Sequence, residues 1–181
     1  MDPQLEEVRE QQKASWNKFS SGWKKWDTLM MDFLRPVGAA IIQSIDPKNG
    51  DTILDIASGT GEPGLTIADK LSTGKVIITD LSPDMLQIAK DKAAGKNIKN
   101  VETVVADVSE LPFADNTFDL ITVAQAYHWF APARFCAEAR RVLVPGGVIA
   151  VWTYAESRVS PAVDAVFDQL HFMRLGQDWP A

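Results

Sequence analysis

Between Thr52 and Gly64 the chain passes from an apolar, β-branched run, Thr52-Ile53-Leu54-Asp55-Ile56-Ala57, into a glycine turn, Ser58-Gly59-Thr60-Gly61-Glu62-Pro63-Gly64. The first half predicts a buried strand, and the second a tight loop opening onto an apolar-periodic helix. Glycines let backbone come close to a ligand with no Cβ between them, and the unpaired N–H groups at a helix start suit a negatively charged group. A strand, a loop and a helix N-terminus in that order predict a cofactor pocket.

The segments that follow keep the same alternation. After Asn49-Gly50, strands are predicted over Thr52 to Ala57, Lys75 to Leu81, Val101 to Ala106, Phe118 to Ala124 and Val148 to Tyr154. Helices fall between them, from Pro63 to Leu71, from the Ser82-Pro83-Asp84 cap to Gly95, and from Pro132 to Leu143. Strands apolar on both faces and alternating with helices imply an α/β fold, a doubly wound, mainly parallel sheet with helices on both faces. Before it, Leu5, Val8, Trp16 and Phe19 recur at helical spacing from Asp2-Pro3 onward. Breaks at Ser20-Ser21-Gly22 and at Pro36 predict three N-terminal helices. Three of the six tryptophans fall within Trp16 to Trp26; they either pack these helices on the body or form an aromatic lid over a site. The expected layout is a single domain with an N-terminal helical lid or packing segment (1–48), a core (49–155) and a C-terminal helix and tail (156–181).

Composition narrows the partners. A net charge of -6 over 181 residues argues against an electrostatic grip on nucleic acid or anionic membrane. No run reaches the ~18 apolar residues of a membrane span, so no stable membrane insertion is expected. The acidic start of the sequence is unlike a signal or transit peptide, and the expected location is cytoplasmic. Cys136 is the single cysteine, which excludes an internal disulfide framework and any multi-cysteine metal site; no metal is expected. A small molecule is the natural partner.

Ligands of open parallel sheets sit beyond the carboxyl ends of the strands. Those ends carry chemistry here: Ala57-Ser58-Gly59 after the first strand, Asp80 after the second, Asp107 after the third, and Gln125, Tyr127 and His128 after the fourth. Gly59, Gly61 and Gly64 match the dinucleotide fingerprint, with Asp80 19 residues beyond Gly61. Asp55 argues against that reading. A carboxylate buried in the strand would repel phosphates and would suit a cationic, ammonium-bearing ligand. His128 is the candidate general base, or else a structural histidine between Tyr127 and Trp129. His171 is assigned no role.

The ordered set Leu54-Asp55-Ile56-Ala57-Ser58-Gly59-Thr60-Gly61, Asp80, Ala106-Asp107 with Leu111-Pro112-Phe113, Phe118-Asp119, and Arg141 to Gly147 resembles class I S-adenosylmethionine-dependent methyltransferases. The stretch from Trp16 to Asp119 is similar to ubiquinone and menaquinone C-methyltransferases, and the segment from Gln125 onward to trans-aconitate-type enzymes. The resemblance implies a Rossmann-like fold with S-adenosylmethionine as cofactor. It implies that Asp55 and the loop of Ala57, Ser58, Gly59 and Gly61 hold the methionine end, and that Asp80 takes the ribose hydroxyls. Leu81 and Met85 would then pack on adenine, Asp107 and Val108 would read its edge, and Ala124 and Gln125 would close the pocket near the sulfonium. The reaction expected is methyl transfer to a small-molecule acceptor. An NAD(P)-dependent oxidoreductase and a non-catalytic assembly module are the alternatives.

Relatives of this class continue with two more strands, for which the sequence after Tyr154 gives no signal, so the chain is expected to be truncated. Ser160-Pro161 predicts one further helix through Met173. The fifth strand, Val148-Ile149-Ala150-Val151-Trp152, would then lie at the sheet edge and invite pairing into a homo-oligomer.

Overall fold

The computed structural model describes residues 3–153 and 160–169. Its elements are α1 (Pro3–Ile45), β1 (Thr52–Ile56), α2 (Gly64–Lys70), β2 (Lys75–Asp80), α3 (Pro83–Gly95), β3 (Val101–Val105), β4 (Phe118–Ala124), a 3-10 turn (Tyr127–Trp129), α4 (Pro132–Val142), β5 (Leu143–Trp152) and α5 (Pro161–Asp168). The strands form one five-stranded sheet in the order β3-β2-β1-β4-β5, every neighbouring pair parallel. The order reverses at β1 and β4, a switch point at which the connections leave toward opposite faces and open a crevice.

The β-branched and leucine content of β1, β2 and β4 follows from burial on both faces. On one side Ile53, Val76, Ile78 and Leu120 pack with Leu65, Ile67 and Ala68 of α2 and Leu86 and Ala93 of α3. On the other, Leu54, Ile56, Ile121 and Val123 pack with Phe135, Ala139 and Val142 of α4. The chemistry that starts α3 is as the sequence implies: Ser82 Oγ accepts from Met85 N at 3.1 Å, with Pro83 in the first turn.

Two differences from expectation concern element limits. The N-terminal residues form one 43-residue helix, α1, rather than three. Ser20 donates its hydroxyl to Asn17 O within the helix, so the serine pair supplies no break, and Pro36 is accommodated inside it. β5 begins at Leu143, before Pro145-Gly146-Gly147 rather than after them. The glycines allow an irregularity inside the strand: Gly146 has φ +85°, and a Cβ at Gly147 would lie 3.0 Å from Val144 O. The register against β4 shifts there, Phe118 pairing with Leu143 and Leu120 with Val148.

Among the described residues β5 pairs with β4 alone, and Val148, Ile149 and Val151 are exposed. Tyr154, His171, the rest of the stretch through Met173 and the final Trp179-Pro180 lie outside the described residues. No described helix is long and apolar enough to cross a membrane.

Candidate functional site

A cavity of about 980 Å³ opens at the carboxyl ends of β1, β2 and β4, with α1 along its other side. Ten of the twelve residues expected at a cofactor line it: Ala57, Ser58, Gly59, Asp80, Leu81, Met85, Asp107, Val108, Ala124 and Gln125. The backbone is bent sharply where β1 and its neighbour β4 run out. Ala57 (φ +53°) and Gln125 (φ +57°) both occupy the left-handed region that non-glycine residues seldom adopt. Strain of that kind, held on two adjacent strand ends beside a cavity, points to function.

The glycines divide into two kinds. Gly59 (φ +55°) lines the cavity, and a Cβ there would meet only Met85 Cε at 3.4 Å. Gly61 (φ +100°) does not line it. A Cβ on Gly61 would fall 2.8 Å from Leu65 Cδ1 and 2.9 Å from Ala89 Cβ, so the absent side chain lets the loop seat against α2 and α3. Gly64 is required in the same way, because a Cβ would lie 2.8 Å from Asp55 Oδ2.

Asp55 is therefore placed differently from the expectation that it faces the ligand. It is fully buried and does not line the cavity. Its Oδ2 accepts from Gly64 N at 2.9 Å and its Oδ1 from Thr122 Oγ1 at 2.7 Å. The carboxyl ties the start of α2 to β4 from behind the glycine loop. Burial pushes it up to about 7, although the bonds from Thr122 and Gly64 favour its charged form. The strand period explains the miss. In β1 the side chain of Asp55 points into the body of the fold, while its neighbour Ile56, on the opposite face, and Ala57, Ser58 and Gly59 beyond it line the cavity.

Asp80 and Asp107, at the ends of the adjacent strands β2 and β3, do reach the cavity. Asp80 Oδ2 accepts from Gly59 N at 2.9 Å and Oδ1 from Ser82 N at 2.8 Å, which fixes the rotamer and leaves lone pairs on both oxygens. Burial raises the Asp80 carboxyl, and the amides of Ser82 and Gly59 act against it. Asp107 Oδ1 accepts from Ser109 N at 2.7 Å, and its Oδ2 pairs with Arg9 Nε at 2.5 Å.

Sequence reasoning gave no site role to Arg9, Asn17, Asp27 or Trp129. On α1, Asn17 Oδ1 accepts from Ser82 Oγ at 2.5 Å, and Asp27 Oδ1 accepts from Thr60 Oγ1 at 2.7 Å. Asp27 Oδ2 also pairs with Lys92 Nζ at 3.0 Å, and Lys92 is 3.6 Å from Glu62 Oε1. Trp16 and Trp23 of α1 line the cavity, and Trp129 stands edge-on to Trp16 with ring centroids 6.4 Å apart. The tryptophan cluster was the available signal. His128, the expected base, is exposed and does not line the cavity. The 3-10 turn sends Trp129 rather than His128 toward the crevice.

A doubly wound parallel sheet with a crevice at its switch point defines a Rossmann-like domain, here with carboxylates on two neighbouring strand ends. Residues 53–147 match the model of the methyltransferase domain family. The ubiquinone/menaquinone biosynthesis C-methyltransferase UbiE of Francisella philomiragia is 35% identical over 131 residues, 71% of this chain and 52% of that protein. Its counterpart from Paracoccus denitrificans is 32% identical over 149 residues, 81% of this chain and 55% of that one. Among solved structures, a SAM-dependent methyltransferase from Aquifex aeolicus is similar with a TM-score of 0.62 at 26% identity, covering 77% of each chain. The chain belongs to the class I S-adenosylmethionine-dependent methyltransferase family. It spans about half the length of the curated relatives it matches.

Proposed function

We propose that this chain binds S-adenosylmethionine in the cavity at the strand ends and directs methyl transfer to a small-molecule acceptor. The observation that carries the reading is the pair Asp80 and Asp107, on adjacent strand ends and both lining the cavity with acceptor oxygens. Asp80 is held by two amides in a position to accept both hydroxyls of a ribose. Asp107 and Val108 face an adenine edge, and Leu81 and Met85 supply apolar contact for its ring. Ala57, Ser58 and Gly59 receive the amino-acid end, with Ala124 and Gln125 beside the sulfur. Asp55 acts one layer back, by holding Gly64 and so the loop. Residues 1–48 serve as the lid segment, and 49–155 as the cofactor-binding core.

When bound, S-adenosylmethionine supplies an activated methyl group for in-line displacement. The protein's part is to position donor and acceptor and to exclude water, which requires neither a metal nor a covalent residue. The likeness to ubiquinone/menaquinone C-methyltransferases supports a quinone-type ring as acceptor, and Trp16, Trp23 and Trp129 at the cavity give aromatic surfaces for one.

Calorimetry with S-adenosylmethionine, S-adenosylhomocysteine and NADH tests the cofactor, and mass spectrometry of quinol and other small-molecule acceptors tests transfer. Binding of both sulfur ligands and not NADH is expected. Binding of NADH alone would overturn the reading, and binding of none would leave the assembly-module alternative.

A further inference from the structure

The outer face of α1 carries a seam independent of the cavity and of the proposed activity. Ser15, Phe19, Gly22, Trp26, Leu29 and Phe33 follow one another at spacings of four and three residues. At ~100° per residue they fall within about 80° of arc, as in one strip of a coiled coil. All six are exposed and none lines the cavity. Phe19 is 55% accessible, Trp26 53%, Leu29 62% and Phe33 76%. A strip ~27 Å long with four large apolar side chains is an interaction surface rather than a scatter of surface residues.

The order of large and small residues selects the occupant. We propose that a second copy of this chain packs on the seam, its α1 antiparallel to the first, about a two-fold axis level with residue 24. In that register Trp26 meets Gly22 of the second copy, Phe33 meets Ser15 and Phe19 meets Leu29, and each contact is repeated by symmetry. Every bulky ring thus faces a smaller residue. A Cβ at Gly22 would find nothing within 4 Å, so no contact inside the chain requires glycine there, although glycine inside a helix costs about 1 kcal/mol relative to alanine. As the hollow for a tryptophan it has a reason. Along one flank Lys18 lies about 3 Å along the axis from the level of Asp32 of the other copy, within reach of its long side chain, and Asp32 also pairs with Arg35 of its own helix. Lys25 approaches its own counterpart there, and its ammonium lies 5.1 Å from the Trp26 ring centroid. Arg9, Trp16 and Asp27 lie on another face of the helix, so the ring-to-hollow contacts of the seam do not involve them, and Asp32 is the flank residue that also lines the cavity.

Light scattering of the full chain across a concentration series tests this, with the Gly22→Leu and Trp26→Glu variants beside it. Gly22→Leu removes the hollow while improving helix propensity, so it is expected to fold with wild-type helical content by circular dichroism. The wild type is expected at twice the monomer mass, and each variant at the monomer mass or with a dimer dissociation constant raised at least about tenfold. A wild type that stays monomeric at high micromolar concentration overturns the proposal. So does a dimer that survives both variants but is lost in Ile149→Lys, which would place the interface on the β5 edge. Co-sedimentation with phosphatidylcholine vesicles, stronger for Gly22→Leu than for the wild type, would make the seam a lipid-binding face and would equally overturn it.

Discussion

Arg9 Nε of α1 stands 2.5 Å from Asp107 Oδ2 at the end of β3, and both side chains are largely shielded, at 18% and 21% accessibility. A ligand that uses Asp107 as an acceptor must share that carboxylate with Arg9 or displace it. A partly exposed pair of this sort is worth about 0.5–1 kcal/mol. Arg9→Gln is expected to tighten S-adenosylhomocysteine binding about two- to fivefold by calorimetry. Weaker binding would mean that Arg9 holds the ligand rather than competing with it.

The raised titration of Asp55 predicts an inverted pH dependence. The carboxyl is pushed up to about 7 in the fold, and in the unfolded chain it titrates near 4 (about 3.9). Between about pH 4 and 7 the folded state holds a proton that the unfolded state has lost, so stability falls as pH rises through that window. Asp55→Asn, which keeps an acceptor for Gly64, is expected to flatten the slope between pH 5 and 8 in denaturant titrations. Its S-adenosylhomocysteine affinity should remain within about threefold of wild type, because Asp55 does not line the cavity. A large loss of affinity in a well-folded variant would restore a direct contact with the ligand's ammonium.

Two alanine substitutions separate packing from binding in the glycine loop. Gly61→Ala places a methyl into Leu65 and Ala89 at a backbone with φ +100°, and should cost about 2–4 kcal/mol of stability. Gly59→Ala has room apart from Met85 Cε and should cost about 1–2 kcal/mol, while setting a methyl at the cavity wall and weakening cofactor binding more than it weakens the fold. Urea midpoints read alongside calorimetry distinguish the two, and the reverse ranking would count against the geometry.

His128→Ala is expected to leave turnover and cofactor affinity within about twofold, since the side chain is exposed and off the cavity. Trp129→Ala removes the ring that stands on Trp16 and should weaken cofactor or acceptor binding by about tenfold. Steady-state kinetics with both substrates varied provides the check. A large fall in kcat for His128→Ala alone would return it to the role of base.

Much of the sheet could be read from the chain because the buried strands are continuous apolar runs and each helix opens or closes on Pro, Ser or Gly. β1, β2 and β4 begin where their hydrophobic runs begin, and α3 ends at Gly95. The strand ends bearing Asp80, Asp107 and Gln125 were legible from one topological rule. What failed depended on directions and long-range partners. Ser20-Ser21-Gly22 and Pro36 are breakers by local propensity, and α1 runs through them. Which way the Asp55 carboxyl points, and the fact that Thr122, 67 residues on, accepts the task of bonding it, follow from strand pairing and not from local pattern. The same holds for Arg9 and Asp27, whose partners just beyond β3, in the glycine loop and on α3 are far away in sequence.

α1 meets the glycine loop and α3 through hydroxyls and charges, Asn17 with Ser82 and Asp27 with Thr60 and Lys92. Water and salt can replace each of these bonds as it breaks, while Ile42 near the end of α1 stays anchored in the core. The helix therefore sets a tempo as well as a wall. Exchange of a ligand held beneath it should quicken with ionic strength at nearly constant fold stability, making residence time the property most sensitive to the solution around this protein.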